Sequence, residues 1–91
     1  MSVVLKIPTP LRTVTEGIDS IEADSDVLSG ALSILNERFP GIEERLFNDN
    51  GELHRFVNIY VNGEDVRFLD GLSTKLSSGD EVSIVPAVAG G

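Results

Sequence analysis

Leu28, Ala31, Leu32, Leu35 and Phe39 recur at helical spacing and form the one sustained helical stripe in this sequence. Asn36, Glu37 and Arg38 carry the polar side near its end, and Phe39-Pro40-Gly41 stops it, because proline disfavours helix in the residue before it. Asp24-Ser25-Asp26 offers several N-caps whose negative charge suits the positive end of the helix dipole, so a helix is predicted over Asp26–Phe39. One helix can bury such a stripe only against another apolar face. The rest of the chain has to supply that face as strands.

It does. Val3–Ile7 alternates, with Val3, Leu5 and Ile7 on one side and Val4 and Lys6 on the other, until Pro8 and Pro10 end it. Ile18–Ala23 alternates again, Ile18, Ser20 and Glu22 against Asp19, Ile21 and Ala23, and is predicted to pair with the first strand as a hairpin. Ile42–Phe47 has room for little more than a helical turn, and Asn48-Asp49-Asn50-Gly51 reads as a tight turn. Phe56–Val61 places Val57, Ile59 and Val61 inward, with Asn58 and Tyr60 outward. Asn62-Gly63 then suits the positive φ angles of a type I′ hairpin, with Val66–Leu69 as a short return strand. Asp70-Gly71 and Ser77-Ser78-Gly79 bracket a Leu72–Leu76 turn. Glu81–Val85 is the last strand, with Val82 and Ile84 inward and Ser83 and Val85 outward. The fold class is α+β: one main helix on one face of a mixed sheet of about five strands.

At 91 residues there is room for one domain, placed at residues 1–85, with a tail over 86–91. A composition of 41% hydrophobic and 24% charged residues is that of a folded chain. The formal charge of −8 counts against nucleic acid and against anionic membranes as partners. That charge is not spread evenly. Residues 16–52 hold ten acids and two bases, while the remainder holds five of each. With no cysteine, the chain has no disulfide, no thiol nucleophile and no thiolate-held metal. The opening Met1–Lys6 lacks the apolar stretch of a signal peptide, and a cytoplasmic protein is expected.

Enzymatic constellations are scarce. His54 is the only histidine and has no second ligand at metal-site spacing. Setting Gly51 at the invariant glycine of a calcium loop puts Leu46 and Val57 at ligand positions, so that reading fails. Neither a nucleophile elbow nor a phosphate-cradling glycine loop is present. No metal or cofactor is expected to bind this chain, and it is not expected to be an enzyme. The end of the chain is different. Pro86-Ala87-Val88-Ala89-Gly90-Gly91 carries no charged side chain and follows the last strand directly. Glycines without Cβ can thread a narrow channel, and a glycyl carboxylate is sterically open to adenylation and then to nucleophilic attack.

Taken with the order strand, strand, helix, strand, strand, strand, these residues resemble the ThiS/MoaD family of ubiquitin-like sulfur carriers along the whole chain. The run Leu53-His54-Arg55-Phe56-Val57-Asn58-Ile59-Tyr60-Val61-Asn62 and the Ala87-containing tail are most similar to the members that serve cysteine synthesis. The resemblance implies a β-grasp fold with the first and last strands parallel at the sheet's centre. It implies that an E1-like enzyme adenylates Gly91 with ATP and that sulfur transfer makes a thiocarboxylate there. Gly90, Ala89, Val88, Ala87 and Pro86 would insert into partner active sites. Implied partners are that E1-like enzyme, a PLP-dependent cysteine synthase and a JAMM-type zinc metalloprotease, with ATP, PLP and zinc held by the partners.

Two other roles use the same carboxylate: the small subunit of molybdopterin synthase beside its large subunit, and a ubiquitin-like modifier joined to lysines through Gly91. Independently of the resemblance, the strand pattern leaves Val4, Lys6, Asn58, Tyr60, Ser83 and Val85 on the sheet face away from the helix, a candidate docking face.

Overall fold

Burial along Val3–Lys6 (β1) alternates as its sequence does, because successive side chains of a strand point to opposite faces. The structure is a computed structural model and describes residues 2–54 and 57–86. Ser20–Ala23 (β2) pairs antiparallel with β1, Leu5 opposite Ile21, which completes the predicted hairpin. Its buried side is Ile21 and Ala23, while Ile18 lies before the strand and is exposed.

Val57–Val61 (β3), Glu64–Asp65 (β4) and Glu81–Pro86 (β5) complete a five-stranded sheet in the order β2-β1-β5-β3-β4. β5 is central, parallel to β1 and antiparallel to β3. This is the mixed β-grasp sheet expected from the family resemblance.

Leu28–Arg38 (α1) lies across one face, and a short Ile42–Leu46 (α2) follows it. Every residue of the predicted stripe is buried, as are Val3, Leu5, Ile7, Val57, Ile59, Val61, Val82 and Ile84 beneath it. Leu11, Ile42, Leu46, Val66 and Leu76 close the rim of the same core. Thr15 is fully buried, and its Oγ1 donates to the Ile18 carbonyl at 2.8 Å, which satisfies the hydroxyl inside the long β1–β2 connection.

Two local expectations are corrected. None of Asp24, Ser25 and Asp26 caps α1; its first residue follows an extended Val27 with no side-chain cap. The Leu28 N–H instead donates to the Thr74 carbonyl at 2.9 Å, and the Leu76 N–H donates to the Asp26 carbonyl at 2.9 Å. A distant backbone segment has taken the place of the cap. Ser25 Oγ turns to the Val27 carbonyl at 2.8 Å, and a Cβ at Gly30 would collide with it, which accounts for a glycine in the first turn of a helix.

The second correction concerns Val66–Leu69. The return strand is Glu64–Asp65 alone, and Val66–Phe68 form a 3₁₀ turn. Asp65 Oδ1 accepts the Arg67 N–H at 2.9 Å, so a side chain beginning a turn outcompetes strand pairing. The Asn62-Gly63 turn has positive φ at both residues, as a type I′ hairpin requires.

Asp80 ties that hairpin to the start of β5. Its carboxylate accepts the Ser77 N–H at 2.8 Å and the Asn62 side-chain N–H at 2.9 Å, while Asn62 Oδ1 accepts the Glu81 N–H at 3.0 Å. The Ser77 backbone hydrogen bond, and then the Asn62 amide, hold the Asp80 pKa below its ordinary 3.8. A folded-state pKa below the unfolded one means stability present above about pH 4 and lost as pH falls through the lower folded value. Asp80→Asn should therefore be less stable than the parent near pH 7, with the gap closing toward pH 2. Urea unfolding across that range checks this; a constant gap would contradict it.

Candidate functional site: the outer sheet face and the root of the tail

Side chains that leave the core side of β1, β3 and β5 gather on the opposite face because cross-strand partners share a face. Lys6 stands opposite Ser83, and Ser83 opposite Tyr60, giving one continuous row across three strands. Val85 stands opposite Asn58 on one side of that row, and Val4 opposite Glu81 on the other. The structure thus brings Val4, Lys6, Asn58, Tyr60, Ser83 and Val85 together. Lys6 and Val85 are exposed, and the other four are half-buried. Ser83 is the middle of that row, flanked by Lys6 on β1 and Tyr60 on β3, with the apolar Val4 and Val85 on opposite sides of it.

β5 continues one residue beyond the predicted strand. Pro86 pairs with Val57, so it belongs to the sheet and not to the tail. Ala87, Val88, Ala89, Gly90 and Gly91 lie outside the described residues, as do Arg55 and Phe56, the latter predicted to begin β3. From Pro86, five extended residues span at most about 17 Å. The carboxylate of Gly91 is therefore tethered to the Val57 end of β3.

Sequence reasoning missed one exposed apolar surface. Phe68 is 87% exposed and Leu69 is 39% exposed, both on the turn that replaces the expected return strand. The usable signal was Asp65, a residue that starts turns as readily as it ends strands. His54 Nε2 lies 3.3 Å from the Glu44 carbonyl. Among the described residues no three His, Asp or Glu side chains gather to hold a metal ion, and no helix is long and apolar enough to cross a membrane.

Comparison with known proteins agrees with this architecture. The ThiS family model matches residues 5–91, through to the terminal glycine. Sulfur carrier protein CysO of Mycobacterium tuberculosis is 53% identical over 93 residues, covering 100% of both chains. The crystal structure of the Amycolatopsis orientalis BexX/CysO complex contains a chain superimposing with a TM-score of 0.90 at 46% identity, covering 98% of this chain and 99% of that one. Small archaeal modifier protein 3 of Haloferax volcanii is 41% identical over 68 residues, 75% of this chain and 73% of its own.

Proposed function

Since this chain belongs to the ThiS family, we propose that it is a sulfur carrier whose Gly91 carboxylate is adenylated and converted to a thiocarboxylate. The observation that carries this reading is the full-length identity to a protein named as a sulfur carrier, with the family match reaching Gly91. The chemistry divides between chain and partners. An E1-like enzyme holds ATP; the carboxylate attacks its α-phosphorus and pyrophosphate leaves. A sulfur nucleophile then displaces AMP. The carrier contributes the carboxylate, a tail without bulk at its tip, and a surface to grip.

Cysteine synthesis is the pathway that this reading favours, because CysO is 53% identical from end to end. A PLP-dependent cysteine synthase would take the thiocarboxylate with an activated serine, and a JAMM-type zinc protease would release the cysteine formed on Gly91. The test is incubation with a cognate E1-like enzyme, ATP and a sulfur source, followed by intact-mass measurement. Exchange of one oxygen for sulfur is expected.

A second reading, attachment to lysines as a modifier, is favoured by the similarity to a small archaeal modifier protein. Branched lysine-linked Gly-Gly peptides in digests of cell protein would mark it. In either case the outer sheet face is the docking surface that we assign to the activating enzyme. Tyr60→Asp puts a charge among its half-buried side chains and should slow thiocarboxylation about tenfold or more without unfolding the domain. Unchanged rates would remove the face from the account.

A further inference from the structure

Phe68 is the most exposed of the large apolar side chains among the described residues. Leaving a phenyl ring in water forgoes the favourable burial of its apolar surface. The turn that carries it is nonetheless held by its neighbours' hydrogen bonds. Asp65 Oδ1 caps the turn at the Arg67 N–H, and the Leu69 N–H donates to the carbonyl of buried Val66 at 2.9 Å. Arg67 Nη2 reaches back to the Val57 carbonyl at 3.2 Å. A ring held out from a fixed turn has already lost the backbone freedom that binding would otherwise cost.

Its position matters as much as its exposure. Val57, which Arg67 grips, is the strand partner of Pro86, where the five-residue tail begins. Any protein that takes Gly91 into an active site must approach within about 17 Å of Pro86 and so lies against this end of the sheet. A second copy of the chain seated on Phe68 would crowd the tail root, which every use of Gly91 needs open.

We propose that Phe68 is the aromatic anchor for the adenylating enzyme, seated in an apolar pocket beside the channel that receives the tail. The inference rests on the carrier reading and deepens it. Rigid aromatics in apolar pockets are the residues that dominate interface energetics. Arg67 is a positioning residue, since its guanidinium fixes the turn to β3.

The test is steady-state pyrophosphate release by the cognate enzyme with ATP, using the full chain, Phe68→Ala and Phe68→Leu. Phe68→Ala should raise the KM for the carrier at least tenfold, about 1.4 kcal/mol, with kcat and melting temperature unchanged. Phe68→Leu, which keeps apolar bulk, should recover most of that loss. An unchanged KM in the alanine variant overturns the proposal. So does a raised KM accompanied by a lower melting temperature or an altered sedimentation mass, which would assign the ring to folding or to self-association. If the parent chain releases no pyrophosphate at all, the carrier reading itself fails. Calorimetric titration of enzyme with parent and Phe68→Ala then still decides the contact, with at least tenfold weaker binding expected for the variant and equal affinities overturning it.

Discussion

Removing Gly91 should lower ATP-dependent thiocarboxylation by at least about 100-fold and leave the unfolding curve where it was. The truncated chain still ends in a glycine, so the chemistry of its carboxylate is unaltered. What changes is reach. One residue fewer withdraws the carboxylate by about 3.3 Å, and a misplacement of even ~1 Å costs on the order of a hundredfold when a reacting group must meet an in-line phosphorus. Stability is spared because Gly91 lies five residues beyond Pro86, the last described residue of β5, and outside the buried core. Appending one residue after Gly91 should be as damaging, since the glycyl carboxylate becomes an amide. Steady-state kinetics with parallel thermal melts checks both variants. A truncated chain that worked at the parent rate would mean that the partner does not read tail length.

Leu35→Ala should cost roughly 2–5 kcal/mol, the usual range for a leucine emptied from a close-packed core. Leu35 is fully buried in α1, over the sheet, in the one large core among the described residues. Such domains are stable by about 5–15 kcal/mol in all, so this single change should take away a large share. At ~4–8 °C per kcal/mol, the melting temperature should fall by on the order of 10–30 °C. Differential scanning calorimetry reads this directly. A loss below about 1 kcal/mol would show that α1 and the sheet are packed much more loosely than the burial of Leu35 indicates.

Those two predictions sit at opposite ends of what the sequence reveals. The stripe from Leu28 to Phe39 and the alternations in β1, β3 and β5 were legible because one buried face imposes a period, and the periods of helix and strand differ. The Asn62-Gly63 turn was legible because few residue pairs tolerate two positive φ angles. The α1 cap was not. Its donor finds the Thr74 carbonyl, a partner 46 residues away that local preference cannot anticipate. Val66–Leu69 looked like a strand because Val66 and Phe68 alternate, yet the Asp65 side chain bends the chain first and turns Phe68 out to water.

The outer face followed from strand parity alone, while the position of the exposed ring needed the tertiary contact from Arg67 to Val57. The charge divides along similar lines. The acidic excess lies wholly within residues 16–52, outside β1, β3 and β5, and net negative charge there favours solubility.

The central claim is that Gly91 carries sulfur, and its most direct test is the mass of the chain's own C-terminal peptide, isolated from the native cells without reducing agent. The expected result is a fraction in which one carboxylate oxygen of Gly91 is replaced by sulfur, and a further fraction bearing a cysteine on that glycine if the cysteine route is served. A C-terminus found only as the free carboxylate under sulfur demand, or only in branched linkage to lysines, would contradict it.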